Sequence, residues 1–75
     1  VTDTSATRTI TMPLAPTTGQ EWTVKDVGLL AGTNNITING NGWNIISDAS
    51  AATYVINTNG GSAEIFFTGT EFLII

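Results

Sequence analysis

The sequence predicts an all-β domain, a small antiparallel β-sandwich or barrel of about seven short strands. Three observations point there. Apolar and polar residues alternate with a period of two in most segments, which puts one side of each extended segment toward a core. Clusters of Gly, Asn, Pro and Ser interrupt that alternation at spacings of roughly 8–12 residues. No segment carries the i, i+3, i+4 apolar spacing of an amphipathic helix.

Residues 1–7, Val1 to Thr7, are small and polar without apolar periodicity, and read as a linker or incoming strand ahead of a single domain over 8–75. The Val at position 1 suggests a processed chain or a segment of a longer one. In Arg8–Met12, Ile10 and Met12 share a face. Pro13 removes a ladder donor, and Pro16-Thr17-Thr18-Gly19 is a turn cluster. Glu21–Lys25 alternates again with Trp22 and Val24 inward. Asp26–Asn34 reads as a folded loop whose Leu29 and Leu30 plug one end of the core. Asn35–Asn39 is the cleanest strand. The Gly40-Asn41-Gly42 turn should fold it back on Trp43–Ile46 as a hairpin, because Asn-Gly pairs supply the positive φ values a tight turn needs. Ser47–Ala52 is a small-residue turn and Thr53–Asn57 a strand that ends at Asn59-Gly60-Gly61-Ser62. Ala63–Phe67 and Glu71–Ile75 close the chain as a hairpin around Gly69.

Composition narrows the chemistry. The 75 residues contain no Cys and no His, so disulfides, Cys/His zinc sites and His-based triads cannot be built from this chain alone. Arg8 and Lys25 against six acids give a net charge of -4, which is the wrong sign for neutralising phosphates, so no nucleic-acid partner is expected. No apolar run approaches the length of a membrane helix, and no membrane insertion is expected. Charged residues make up 11% while the mean hydropathy is +0.21, so the chain is uncharged and polar but not of disordered type. A single core of this size is marginal in stability, which makes association with further copies an obvious source of the remainder.

The acids Asp3, Glu21, Asp26, Asp48, Glu64 and Glu71 are scattered and read as solvated strand edges and turn caps. A carboxylate pair for glycoside hydrolysis would have to come from Glu21 with Glu64, or Asp26 with Asp48, and their spacing does not single out either. Lys25 and Asp26 are adjacent and suit a local ion pair. Asn39–Gly42 with Asp48 has some calcium-loop character, but the hairpin turn already explains the first four residues. No catalytic residues, cofactor site or metal site are therefore assigned. Trp43 and Tyr54 are candidate glycan contacts by stacking, and they define the alternative reading of a monomeric carbohydrate-binding module. Ile45-Ile46, Val55-Ile56, Phe66-Phe67 and Leu73-Ile74-Ile75 place apolar side chains on both faces of their strands. One face must be covered from outside, so Ile46, Ile56, Phe66, Leu73 and Ile75 are assigned to an oligomer interface.

The order of segments resembles a small β-domain of bacteriophage virion proteins, chiefly tail fibres, tailspikes and head or tail decorations. The resemblance runs through Thr9-Ile10-Thr11-Met12-Pro13, Gly19-Gln20-Glu21-Trp22-Thr23-Val24-Lys25-Asp26 and Asn35-Ile36-Thr37-Ile38. It continues through Ala49-Ser50-Ala51, Gly61-Ser62, Phe67, Gly69-Thr70 and Phe72-Leu73-Ile74, covering about Thr7 to Ile75. The chain departs from that pattern at Ser47, where Gly is usual, and at Phe72, where Trp is frequent. The resemblance implies a non-enzymatic virion component at the particle surface, in homotrimeric fibres, with neighbouring virion proteins as partners. A host surface glycan is a further expected partner.

Overall fold

The computed structural model describes all 75 residues and contains eight short strands and no helix. They are β1 (Arg8–Thr11), β2 (Glu21–Lys25), β3 (Ile36–Asn39), β4 (Ile45–Ile46), β5 (Ser50–Ala51), β6 (Thr53–Ile56), β7 (Ser62–Phe67) and β8 (Phe72–Ile74). They form two sheets, one ordered β1-β3-β6 and the other β2-β7-β8-β4-β5. The all-β architecture expected from the alternation is what is found. Two ladders are parallel, β1 with β3 and β4 with β8, so both sheets are mixed and not purely antiparallel.

The alternation sorts side chains into a shared interior. From the three-stranded sheet, Ile36, Ile38 and Ile56 face inward and are buried. The five-stranded sheet answers with Val24, Ala63, Ile65, Phe67, Phe72 and Ile45. Aromatic rings run through this interior as a file. Trp22 meets Phe72 edge-on at 5.5 Å between centroids, Phe72 meets Phe67 at 5.1 Å, and Phe67 meets Trp43 edge-on at 5.1 Å. Such geometries add roughly 0.5–1.5 kcal/mol per pair beyond area burial. The accessible surface of 4247 Å² is close to the ~4,400 Å² expected of a folded monomer of this mass, so the interior closes without help from a neighbour.

The expected hairpin between Asn35–Asn39 and Trp43–Ile46 does not form. The turn itself is present: Trp43 N–H donates to Gly40 O at 3.1 Å, with Asn41 at φ 55° and Gly42 at φ 94°. Gly40 is buried there, and a Cβ at that position would overlap the Trp43 carbonyl oxygen. However, β3 already has a neighbour on each edge, β1 in parallel and β6 antiparallel. With no edge free, the chain leaving the turn crosses to the other sheet, where β4 pairs with β8 and β5. The closing hairpin is as expected: β7 and β8 are antiparallel across a turn with Gly69 at φ 108°.

Two further expectations are corrected. Leu29 and Leu30 do not plug the core; they are 59% and 45% exposed, and Ala31 and Asp26 occupy the interior instead. Residues 1–7 form no strand but pack on the domain: Thr4 is buried, and Arg8 Nη2 meets Asp3 Oδ2 at 2.9 Å.

Phe72 is fully buried at the centre of the aromatic file. Phe72→Ala is expected to cost about 3–5 kcal/mol, read as a shift in the urea unfolding midpoint. An effect below about 1 kcal/mol would contradict this account of the core.

Candidate functional site

Asp26 is the most constrained polar residue. It is 0% exposed, yet both carboxylate oxygens are satisfied. Oδ1 accepts the Thr4 hydroxyl and the Leu29 N–H, each at 2.9 Å. Oδ2 accepts the N–H groups of Ala31 at 2.9 Å and Gly60 at 3.1 Å. Thr4 in turn accepts the Leu30 N–H through Oγ1, and its carbonyl accepts Asn34 Nδ2. Gly28 lets this happen, because a Cβ there would collide with Thr4. The expected Lys25–Asp26 ion pair is absent; Lys25 Nζ donates to Gly60 O instead. Burial alone would raise the Asp26 pKa, but the donated bonds from Ala31, Gly60, Thr4 and Leu29 outweigh it and hold the carboxyl below its ordinary 3.8. All its partners belong to the chain itself, so Asp26 organises the fold and leaves no lone pair for a substrate. Sequence reading gave it only a capping role. The available signal was an Asp opening a Gly-containing loop, which suits a carboxylate that collects loop N–H groups.

The other acids are arranged differently. Glu21 on β2 and Glu64 on β7 are diagonal neighbours on one face, since Glu21 is opposite Phe66 and Thr23 opposite Glu64. They line a shallow pocket of about 200 Å³ with Thr23 and Ile75, smaller than the ~300–1,000 Å³ usual for ligand sites. Asp26 and Asp48 do not share a site: the first is sealed in its loop, and the second lies exposed after β4, accepting the Ser47 hydroxyl at 3.2 Å. No three acidic side chains come together as a metal site. The Asn39 and Asn41 side chains are used within the turn and on Met12 O.

The candidate glycan contacts pack against the core. Trp43 is half-buried with its ring edge on Phe67, and its single N–H donates to Leu14 O at 2.9 Å. Tyr54 is half-buried on the inner face of β6, the same face as Ile56. The two therefore present no open stacking platform.

Four of the five assigned interface residues do come together. Phe66 is opposite Leu73, and Leu73 is opposite Ile46, which makes a cross-strand row on the outer face of the five-stranded sheet. Ile75 extends the same face, with its N–H on Glu64 O at 2.9 Å. Ile56 is the correction: it is 4% exposed and belongs to the chain's own core, and its neighbour Val55, 40% exposed, points outward. The strand offered two adjacent apolar residues, and pairing with Ile36 sends Ile56 inward.

A second apolar feature was not legible beforehand. A groove of about 490 Å³ lies where the edge strand of one sheet, β1, faces the edge strand of the other, β2. Val1, Ile10, Met12, Pro13, Trp22 and Val24 line it.

Comparisons with protein-family models, with curated proteins and with solved structures find no match to this chain.

Two predictions follow from the site's geometry. The folded pKa of Asp26 lies below its unfolded value, so its contribution to stability is present above about pH 4. That contribution is lost as pH falls through the folded pKa. Asp26→Asn, which presents an amide N–H₂ to N–H donors, should lower the melting temperature at pH 7 more than Asp48→Asn. It should also flatten the acid limb of the stability–pH curve; an unchanged limb would assign acid sensitivity elsewhere. Trp43→Ala removes a core-packed ring and should destabilise by about 3 kcal/mol in chemical denaturation. A fully stable variant would return Trp43 to the list of surface contacts.

Proposed function

We propose that the chain is a non-enzymatic structural module of a phage virion, part of a tail fibre, spike or decoration, and that it assembles with copies of itself. The observation that carries the assembly reading is the contiguous apolar row Phe66–Leu73–Ile46, extended by Ile75, on the outer face of the five-stranded sheet. A face of this kind on a small, weakly charged domain loses free energy by being covered. A trimer would cover it with the equivalent face of neighbouring copies around a threefold axis. The row is flanked by Glu21 and Ser50, which supply a polar border. The virion assignment rests on the resemblance of the segment order to phage fibre and decoration domains, and location at the particle surface follows from it. Contribution to host attachment is part of the same reading.

Light scattering coupled to size-exclusion chromatography should give about three times the 7.8 kDa protomer mass at micromolar concentration. Leu73→Asp should give a protomer with unchanged circular dichroism, because Leu73 is only half-buried within the protomer. A wild-type protomer that stays monomeric would overturn the assembly reading. Mass spectrometry of purified virions tests the other part: absence of this chain from the particles would remove the virion assignment.

A further inference from the structure

We infer that the outer edge of β2, with the groove between β1 and β2, accepts an extended strand from another polypeptide, running parallel to β2 with apolar residues at alternate positions.

The hydrogen-bond pattern shows which groups are available. Phe67 N–H donates to Gln20 O and Asp26 N–H to Gly61 O, so the even-numbered residues of β2 face β7. Strand alternation then turns the N–H and C=O groups of Glu21, Thr23 and Lys25 toward the opposite edge. At one end that edge is already paired: Val1 N donates to Lys25 O at 2.8 Å, and Val27 N–H donates to Val1 O at 2.8 Å. Two bonds from one residue to positions two apart on the neighbouring strand are the signature of a parallel ladder. Val1 is thus a single residue of parallel strand seated beside β2, with its side chain in the groove.

The same seat continues along β2. A strand residue that bonded Thr23 O and Lys25 N–H would sit two positions before a residue placed like Val1, and its side chain would enter the groove on the same side. There it would meet Ile10, Met12 and Trp22. Main-chain bonds would supply affinity and the groove would select apolar residues at every second position, which is recognition by strand addition. A second copy of these 75 residues has no spare strand to donate, since all eight of its strands are already in ladders and residues 1–7 are held through Thr4 and Asp3. An antiparallel β2-to-β2 pairing would also meet Val1 at Lys25. The occupant is therefore a strand from a different polypeptide. This site is on the sheet edges and does not depend on the outer-face row.

The test uses the intact chain and the capped peptide acetyl-Thr-Val-Thr-Val-Thr-amide, followed by the indole N–H of Trp22 in proton–nitrogen NMR. Binding should saturate with a Kd of about 1 mM or tighter. N-methylation of the two Val residues removes the donors that face β2 and should weaken binding at least about tenfold. N-methylation of the central Thr, whose N–H points away, should leave the affinity within about twofold. Equal weakening by both modifications would overturn strand addition in favour of a plain apolar pocket. No Trp22 shift up to about 5 mM peptide would overturn the site altogether. A concentration-dependent Trp22 shift without peptide would assign the edge to a second copy and overturn the inference.

Discussion

A buried carboxylate has to be matched by donors, and Asp26 finds them on three separate stretches of chain. Thr4 comes from the amino-terminal segment, Leu29 and Ala31 from the loop after β2, and Gly60 from the turn between β6 and β7. None of these stretches has regular structure, and none has enough apolar surface to hold its place by packing. The carboxylate gives them a common centre. It also fixes where the amino-terminal segment lies, which brings Val1 alongside Lys25 and closes one end of the groove.

From that anchored corner, the five-stranded sheet separates two kinds of apolar surface. Its inner face carries the aromatic file from Trp22 to Trp43, which the three-stranded sheet covers with isoleucines. Its outer face carries Phe66, Leu73, Ile46 and Ile75, which nothing in the protomer covers fully. The three-stranded sheet is different: Thr9, Thr37, Thr11, Asn39 and Thr53 face outward, with Val55 the one apolar exception. The molecule is thus apolar on one broad side and hydroxyl-rich on the other, which is how a weakly charged domain remains soluble on one flank and adhesive on the opposite one.

The strand positions were legible because a period of two is a local property, and β2 falls on the expected residues without adjustment. Pairing was not legible where it depended on competition. The Gly40–Gly42 turn was read correctly as a turn, but whether a turn makes a hairpin depends on free edges, and β1 and β6 had taken both. Parity explains the interface residues in the same way. Phe66-Phe67 and Leu73-Ile74 each had to send one residue out, and the outward member was chosen correctly in both. In Val55-Ile56 the register with Ile36 reversed the choice. The loop leucines misled because hydrophobicity was weighed without the hydrogen-bond demand of a neighbouring acid, and Asp26 took the interior position. The groove could not be seen in the sequence at all, since it exists only because β1 and β2 end their respective sheets.

The strand order has a consequence for biosynthesis. β8 is made last of the eight, yet it sits mid-sheet, bridging β7 on one flank and β4 on the other. A nascent chain still missing Phe72–Ile74 has β4 and β5 with no tie to β2 and β7, so stepwise folding from the amino terminus stalls until translation of this stretch is complete. Ribosome-bound intermediates would display Ile45, Ile65 and Phe67 to the cytosol during that interval, which makes them natural clients for holdase chaperones.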